Sequence, residues 1–261
     1  MSEKPKYPVQ TVGNAIEILE ILAKDVSSRG VGVTDLSKEM NMGKSSVHRI
    51  LDTLLYYGYV VKDSDTSRYR LGCGLYTIGQ RVPQQNQIFS LDSAYLIELS
   101  KKTGETVNLG VRDRNEVIII SKLEGTNAGL RVGIQVGEHE PIHATALGKM
   151  LISDMADEDV TELLGRNTEF HKFTDNTVSG VDELLENLRT VREKGYSVDD
   201  QEFAVGMICI AMPIRDYTGN IIAAVSVSSP SNHMNEERLN FITENLRECC
   251  SRISWNMGFR K

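Results

Sequence analysis

The stretch 33–55, VTDLSKEMNMGKSSVHRILDTLL, constrains the chain most, because it sets two helical periods around a turn of a few residues. Thr34 predicts a cap for the first helix, with Asp35 in its first turn. Residues 41–44 supply turn chemistry, and Ser45 predicts the cap of the second helix. On that second helix Val47, Ile50, Leu51 and Leu54 recur at i, i+3, i+4 and i+7, so they predict the buried face. Ser46, His48, Arg49 and Thr53 are left outside, and Lys44 and Ser45 open the helix. This is helix-turn-helix grammar. A face of hydroxyls, imidazole and cations suits the major groove, where side chains meet base edges and phosphates. A plain helical hairpin gives the same pattern, so the flanks decide.

Upstream, Val12, Ala15, Ile16, Leu19 and Leu22 predict a helix over 12–24 packed on the hairpin, ended by a loop over 27–32. Downstream, Gly58 stands where a C-terminal cap is expected. Residues 59–71 read as two strands around a turn at 63–67, in the position of a wing. Tyr69 and Leu71 alternate with Arg68 and Arg70, which predicts an inward apolar face and two outward guanidinium groups beside Lys62. Cations so placed hold phosphate or reach the adjacent minor groove. Net charge is −7, yet residues 1–75 hold 10 Lys and Arg against 9 Asp and Glu, about +1, which leaves about −8 for the remainder. A non-acidic head on an acidic body is compatible with DNA as partner.

A length of 261 residues favours two domains of unequal size. We place a winged helix-turn-helix domain at 8–72, a linker at 73–90 broken by Pro83, and a second domain at 91–261. Pro83 is expected to end or kink the linker helix. No apolar run is long enough to span a membrane and residues 3–6 lack a signal-peptide core, which predicts a cytoplasmic protein with no membrane partner. Cys73, Cys209, Cys249 and Cys250 have neither disulfide-framework nor zinc spacing and are expected as buried free thiols.

The second domain reads as α+β with a largely antiparallel sheet. Helices are expected over 91–102, 143–155, 157–164, 181–193 and 235–255, and strands over 107–111, 117–123, 130–136, 207–215 and 221–228. In the last strand Ile222, Ala224, Ser226 and Ser228 share a face, and in its neighbour Cys209 and Ala211 do. Small residues on facing strands leave either room for a ligand or a closely seated helix.

The segments VGNAIEIL (12–19), SSVHRIL (45–51), GYV (58–60), YRLG (69–72), HATALGK (143–149), GYSVDDQE (195–202) and AVSVSSP (224–230) resemble, in order and spacing, the IclR family of bacterial transcription regulators. The resemblance covers nearly the whole chain. It implies a winged helix joined to a GAF-like effector-binding domain, with dimers or tetramers on palindromic operator DNA and a lean toward repression. It further implies that Ser226, Ser228 and Asp199, the last in a turn, contact the effector, that Cys209 lines the wall, and that the amides of Ala146 and Leu147 meet an anionic end. Backbone donors at a helix start favour a carboxylate without a cation, so a keto-, hydroxy- or sugar-acid is the expected effector, in a pocket that Ala146 and Leu147 make narrow.

Other motifs point nowhere further. Gly148-Lys149 lacks the upstream glycine of a phosphate loop, and Gly129, Gly133 and Gly137 lack the strand-to-helix setting of a dinucleotide site, so neither cofactor nor metal is expected. Pro141 separates His139 from His143, and His171 and His233 show no partners. The competing functions are a small-acid enzyme using Asp199, His143 or Cys209, and an adaptor with a helical interaction module. No nucleophile, base and orienting group share a recognisable spacing, which disfavours the enzyme.

Overall fold

The apolar period of the first ninety residues becomes helix α1 (Gln10–Lys24), α2 (Val33–Glu39), α3 (Lys44–Tyr56) and a hairpin of β1 (Val60–Lys62) and β2 (Tyr69–Leu71). This computed structural model describes residues 6–25, 27, 29–85, 87–90, 93–126 and 134–260. The chain divides into two units, Ser2–Ser90 and Leu91–Lys261.

In the first unit Val47, Ile50, Leu51 and Leu54 of α3 are buried with Ile18, Leu36, Val60 and Tyr69, as their spacing requires. The caps differ from expectation. Gly32 and Gly43 are the extended N-cap residues of α2 and α3, and neither helix has a side-chain cap, so Thr34 and Ser45 lie inside the first turns. Glycine at an N-cap costs only a few tenths of a kcal/mol relative to serine, which leaves the Ser45 hydroxyl uncommitted to a cap. Gly58 takes φ +71°, as a helix stop there needs.

The buried stripe of α1 is Ile18, Ile21 and Leu22. Val12 and Ile16, expected inside, are 56% and 52% exposed. The helix is apolar on two faces, and its own unit covers one. In the wing Tyr69 is buried as expected, but Leu71 is exposed. Lys62 pairs in register with Tyr69 and lies 5.6 Å from the centre of its ring. Since opposed residues share a face, Lys62 is on the side of Tyr69, and Arg70 is on the other, with Val61. Beyond the wing come α4 (Cys73–Gly79), α5 (Val82–Gln85) and a 3-10 turn, Gln87–Ser90. The helical linker is interrupted at 80–81, just before Pro83, which itself occupies the first turn of α5, where a missing N–H costs no helical bond.

The second unit runs α6 (Ala94–Thr103), β3 (Thr106–Asp113), β4 (Glu116–Leu123), β5 (His139–Pro141), α7 (Ala146–Leu151), α8 (Asp157–Leu164), α9 (Val181–Lys194), β6 (Ser197–Asp200), β7 (Met207–Arg215), β8 (Ile221–Pro230) and α10 (Glu236–Asn256). The described strands form one sheet in the order β5-β4-β3-β8-β7-β6, antiparallel at every step. Helices α7 and α9 pack with Val117, Ile119, Ala211 and Ala224 on one face. On the opposite face of β7, α10 approaches closely enough for the Cys250 thiol to reach the Met212 carbonyl.

Several expectations are corrected. Of the strand expected over 130–136, residues 130–133 lie outside the described residues, as do Gly129 and Gly133, and 134–136 are not strand. The edge strand is β5 instead. The helix expected from 143 begins only at Ala146, because Thr145 is its cap and accepts from the Gly148 amide. It ends at Leu151, where Ile152 leaves helical geometry. Asp199 sits on a strand, β6, rather than in a turn. All four cysteines are free, but Cys73 is exposed. Among the described residues no helix is long and apolar enough to cross a membrane.

The seat of α7 depends on Gly148, where an added Cβ would overlap the Ile142 backbone. Gly148→Ala is expected to cost about 1–3 kcal/mol by overpacking. Urea unfolding followed through Trp255, the only tryptophan, checks this in the second unit.

Candidate functional site

Antiparallel register assembles the site. Cys209 lies opposite Ser228 and Ala211 opposite Ser226, Asp199 opposite Cys209, and Asn108 opposite Ser226. Six strands and α7 thereby close one cavity, which Ala146, Leu147, Asp199, Cys209, Ser226 and Ser228 all line. The Cys209 thiol donates to Ser228 Oγ at 3.1 Å, and Asn108 reaches the same hydroxyl at 3.5 Å. At the mouth of α7 the Thr145 hydroxyl takes the Gly148 amide and the Thr145 carbonyl takes the Lys149 amide. Neither cap nor helix supplies an acceptor for the first two amides, Ala146 and Leu147. The Ala146 carbonyl, in turn, is held by the Ser197 hydroxyl at 2.6 Å.

The walls are more polar than the sequence suggested. Lys149 is fully buried and pairs with Glu202 Oε1 at 2.5 Å, while Glu202 Oε2 is buried with no hydrogen-bond partner. The Glu202 and Phe203 amides donate to Asp199 Oδ1 at 2.7 and 3.2 Å. Burial nevertheless raises the Asp199 carboxyl to about 7, those amides opposing it. Burial, helped by the charge of Asp199, raises Glu140 to about 7 as well. Glu140 lines the cavity with Thr106, Asn108 and Lys122. Lys122 donates to the Ile134 carbonyl at 2.8 Å and lies 3.7 Å from Glu124. Burial also pushes the Cys209 thiol well up, the reverse of what a thiolate nucleophile needs.

Sequence reasoning missed Asn108, Lys122, Glu140, Lys149 and Glu202. Lys149 carried a signal, since a lysine on an otherwise apolar helix face requires a buried partner. The histidines also differ from expectation. His171 does have partners: its carbonyl is 3.0 Å from His143 Nε2 and its ring meets Phe173 edge-on. His139 pairs with Glu116 at 3.1 Å.

In the first unit Lys44, Ser45, Ser46, His48, Arg49 and Thr53 are all exposed on α3, but they form two stripes. Ser46, Arg49 and Thr53 line a hollow with Val12, Ile16 and Leu19 of α1. Ser45 and His48 share the other stripe with Asp52, an exposed acid omitted from the sequence reading. On the wing Arg68 is engaged within its own unit, donating through Nε to the Gly30 carbonyl at 2.7 Å and lying 3.4 Å from Asp35. Arg70 is exposed.

A winged helix-turn-helix unit and an antiparallel sheet unit around a polar cavity define a two-part regulator, one part built for DNA and the other for a small ligand. Residues 11–64 match the IclR helix-turn-helix domain, and residues 80–255 match the IclR C-terminal domain of bacterial transcriptional regulators. The chain belongs to the IclR family of transcription regulators. It is similar to the transcriptional regulator KdgR of Escherichia coli K12, 32% identical over 95% of this chain and 94% of KdgR. It is likewise similar to the transcriptional repressor AllR of the same strain, 31% identical over 96% of this chain and 91% of AllR. An IclR homologue from Microbacterium hydrocarbonoxydans, solved in complex with 4-hydroxybenzoate, shares the fold. Its TM-score is 0.82 at 22% identity, over 95% of this chain and 98% of that one.

The buried pair and the raised carboxyls give two expectations. Lys149→Met leaves Glu202 buried and unpaired and is expected to cost about 3–5 kcal/mol. Urea unfolding should show most of that loss recovered in Lys149→Met/Glu202→Leu. For Asp199, a folded value of about 7 lies above the unfolded one, so its stability contribution is full below about pH 4 and lost as pH rises to about 7. Melting temperature should therefore fall less between pH 5 and pH 7.5 in Asp199→Asn than in the unsubstituted protein.

Proposed function

We propose that the protein is a cytoplasmic, ligand-responsive transcriptional repressor. Residues 8–72 form its DNA-binding domain, 73–90 its linker and 91–261 its effector domain. The effector is a small carboxylate. The observation that carries this is the mouth of α7, where Ala146 and Leu147, whose amides receive no acceptor from cap or helix, line a cavity with Asp199, Ser226 and Ser228. Donors at a helix start receive a carboxylate, while Asp199 and the two serines take its hydroxyl or carbonyl oxygens. Crystallisation of the Microbacterium homologue with a carboxylate supports the class, and the kinship with AllR supports repression.

The DNA face is α3 with the wing. Lys44, Ser45, Ser46, His48, Arg49 and Thr53 meet the major groove, and Lys62 and Arg70 the backbone. Arg68 contributes by fixing the wing to α2 as well as by its charge. Self-association is part of the reading, since Val9, Val12 and Ile16 lie at helical spacing with at least half of each exposed. A dimer formed there would match a palindromic operator. Binding and release need no cofactor or metal, and the chain acts without catalysis.

The test begins with thermal stability against small keto-, hydroxy- and sugar-acids, since a ligand of the folded state raises the melting temperature. An acid that stabilises the protein should also lower its affinity for a duplex selected from random sequence. If no acid does either, the effector reading fails. On that duplex Arg49→Ala should cost about 1–3 kcal/mol and relax sequence preference. Arg70→Ala should weaken all sequences alike and reduce the salt slope by about 1. Unchanged affinity and slope in both variants would remove the groove-and-wing assignment.

A further inference from the structure

Glu140 differs from the other charged groups around the cavity in having neither carboxyl oxygen paired, whereas Glu202 has one oxygen on Lys149 and only the other without a partner. It is 8% exposed, it lines the cavity from the edge strand β5, and among the described residues no hydrogen bond or ion pair reaches its carboxyl, whose oxygens, unlike the fully buried Glu202 Oε2, keep access to the cavity. The neighbouring charges are already engaged. Asp199 on β6 takes two backbone amides, Lys149 on α7 pairs with Glu202, and Lys122 at the end of β4 lies near Glu124. Glu105, before β3, pairs with Arg238 at 2.9 Å. A buried polar group without a partner is costly and is retained where something else completes it. Here the missing partner faces the cavity.

We propose that Glu140 is an effector-binding residue. It acts as a neutral acid that donates a hydrogen bond to a hydroxyl or carbonyl oxygen of an aliphatic polyhydroxy acid. This rests on the reading of the cavity given above and adds to it both a residue and a ligand class. The effector's carboxylate lies at the Ala146 and Leu147 amides, and its remaining oxygens meet Asn108, Asp199, Ser226 and Glu140. These polar groups come from β3, β5, β6 and β8, so a ligand bearing oxygens along its length satisfies them and a planar aromatic ring does not. The proton follows from electrostatics. Glu140 and Asp199 each raise the other's cost of ionising in a water-poor site, and an arriving anion raises it again. With the Glu140 carboxyl at about 7 in the empty site, binding takes up a proton from solvent whenever that carboxyl starts ionised.

The experiment is isothermal titration of the full-length protein with gluconate, 4-hydroxybenzoate and L-serine at pH 6 and pH 8, in buffers of differing ionisation enthalpy. Asp199→Ala, Glu140→Gln and Glu140→Leu are titrated in parallel. Gluconate should bind about tenfold more tightly at pH 6 than at pH 8, with up to one proton taken up. Glu140→Gln, always neutral and still a donor, should bind it with much of that pH dependence gone, and Glu140→Leu should lose at least tenfold at both pH values. If gluconate binding falls in Asp199→Ala but is untouched in both Glu140 variants, the inference about Glu140 fails and the cavity stands as the effector site. If gluconate binds equally well to Asp199→Ala, or no probe binds at all, the cavity reading itself fails. Binding of 4-hydroxybenzoate alone would overturn the polyhydroxy class. Binding of L-serine that strengthens with pH and is lost in Glu140→Gln would show an ammonium partner and overturn the neutral-acid role.

Discussion

The buried pair of Lys149 and Glu202 is the contact on which the rest of the ligand domain depends. Lys149 belongs to α7, whose start holds the candidate anion site, and Glu202 belongs to the turn after β6, whose amides hold Asp199. The same turn is anchored from behind, where Thr177 Oγ1 donates to the Glu202 carbonyl at 2.6 Å and Thr174 Oγ1 to the Gln201 carbonyl at 2.7 Å. Ser197, two residues before Asp199, holds the Ala146 carbonyl. One ion pair and one hydroxyl thus fix the spacing between the two ends of the cavity. Set against a well-packed apolar pair, a buried ion pair contributes little net stability, because desolvation cancels most of the attraction. Its effect here is on position, since the pair ties α7 to the turn after β6.

That dependence explains what could be read in the sequence. The long strands β7 and β8 alternate cleanly, so the shared face of Cys209, Ser226 and Ser228 followed from period alone, and α3 showed its buried face the same way. Where the period is short it fails. Strand β5 has three residues, the last of them Pro141, too few to tell inward from outward, so Glu140 was overlooked. At α7 the apolar run begins before the helix does, and only the Thr145 hydroxyl on the Gly148 amide marks the true start. The caps of α2 and α3 failed for a related reason: a glycine two residues before the Thr or Ser serves nearly as well, and the hydroxyl then lies inside the first turn. In α1 two apolar stripes were present, and nothing local says which one the unit covers.

The two arginines of the wing illustrate a difference that alternation cannot show. Both lie on a strand or beside it and both are cationic, yet Arg68 spends its guanidinium on Gly30 and Asp35. The pair with Asp35 is about half exposed, which limits its energetic weight. The hydrogen bond to Gly30 is geometric, joining the wing to the loop before α2. Arg70 has no such duty, so its charge is available outward. The proposed DNA face is therefore narrower in available cations than a count of lysines and arginines suggests, and Asp52 on α3 reduces it further near its centre.

An effector alters DNA affinity only to the extent that it binds one arrangement of the protein better than another, and tenfold in affinity needs about 1.4 kcal/mol of such preference. In the ligand domain that preference has an identifiable lever. On the proposed reading, a carboxylate at the mouth of α7 would act on the helix that carries Lys149, and oxygens bound by Asp199 would act on the turn that carries Glu202. A change in cavity width would reach the buried pair, because Lys149 lies on α7 and Glu202 on the turn after β6. On the proposed reading, a ligand that matches the existing width would reinforce the pair and one that does not would strain it, so ligand length as well as ligand charge would set the response.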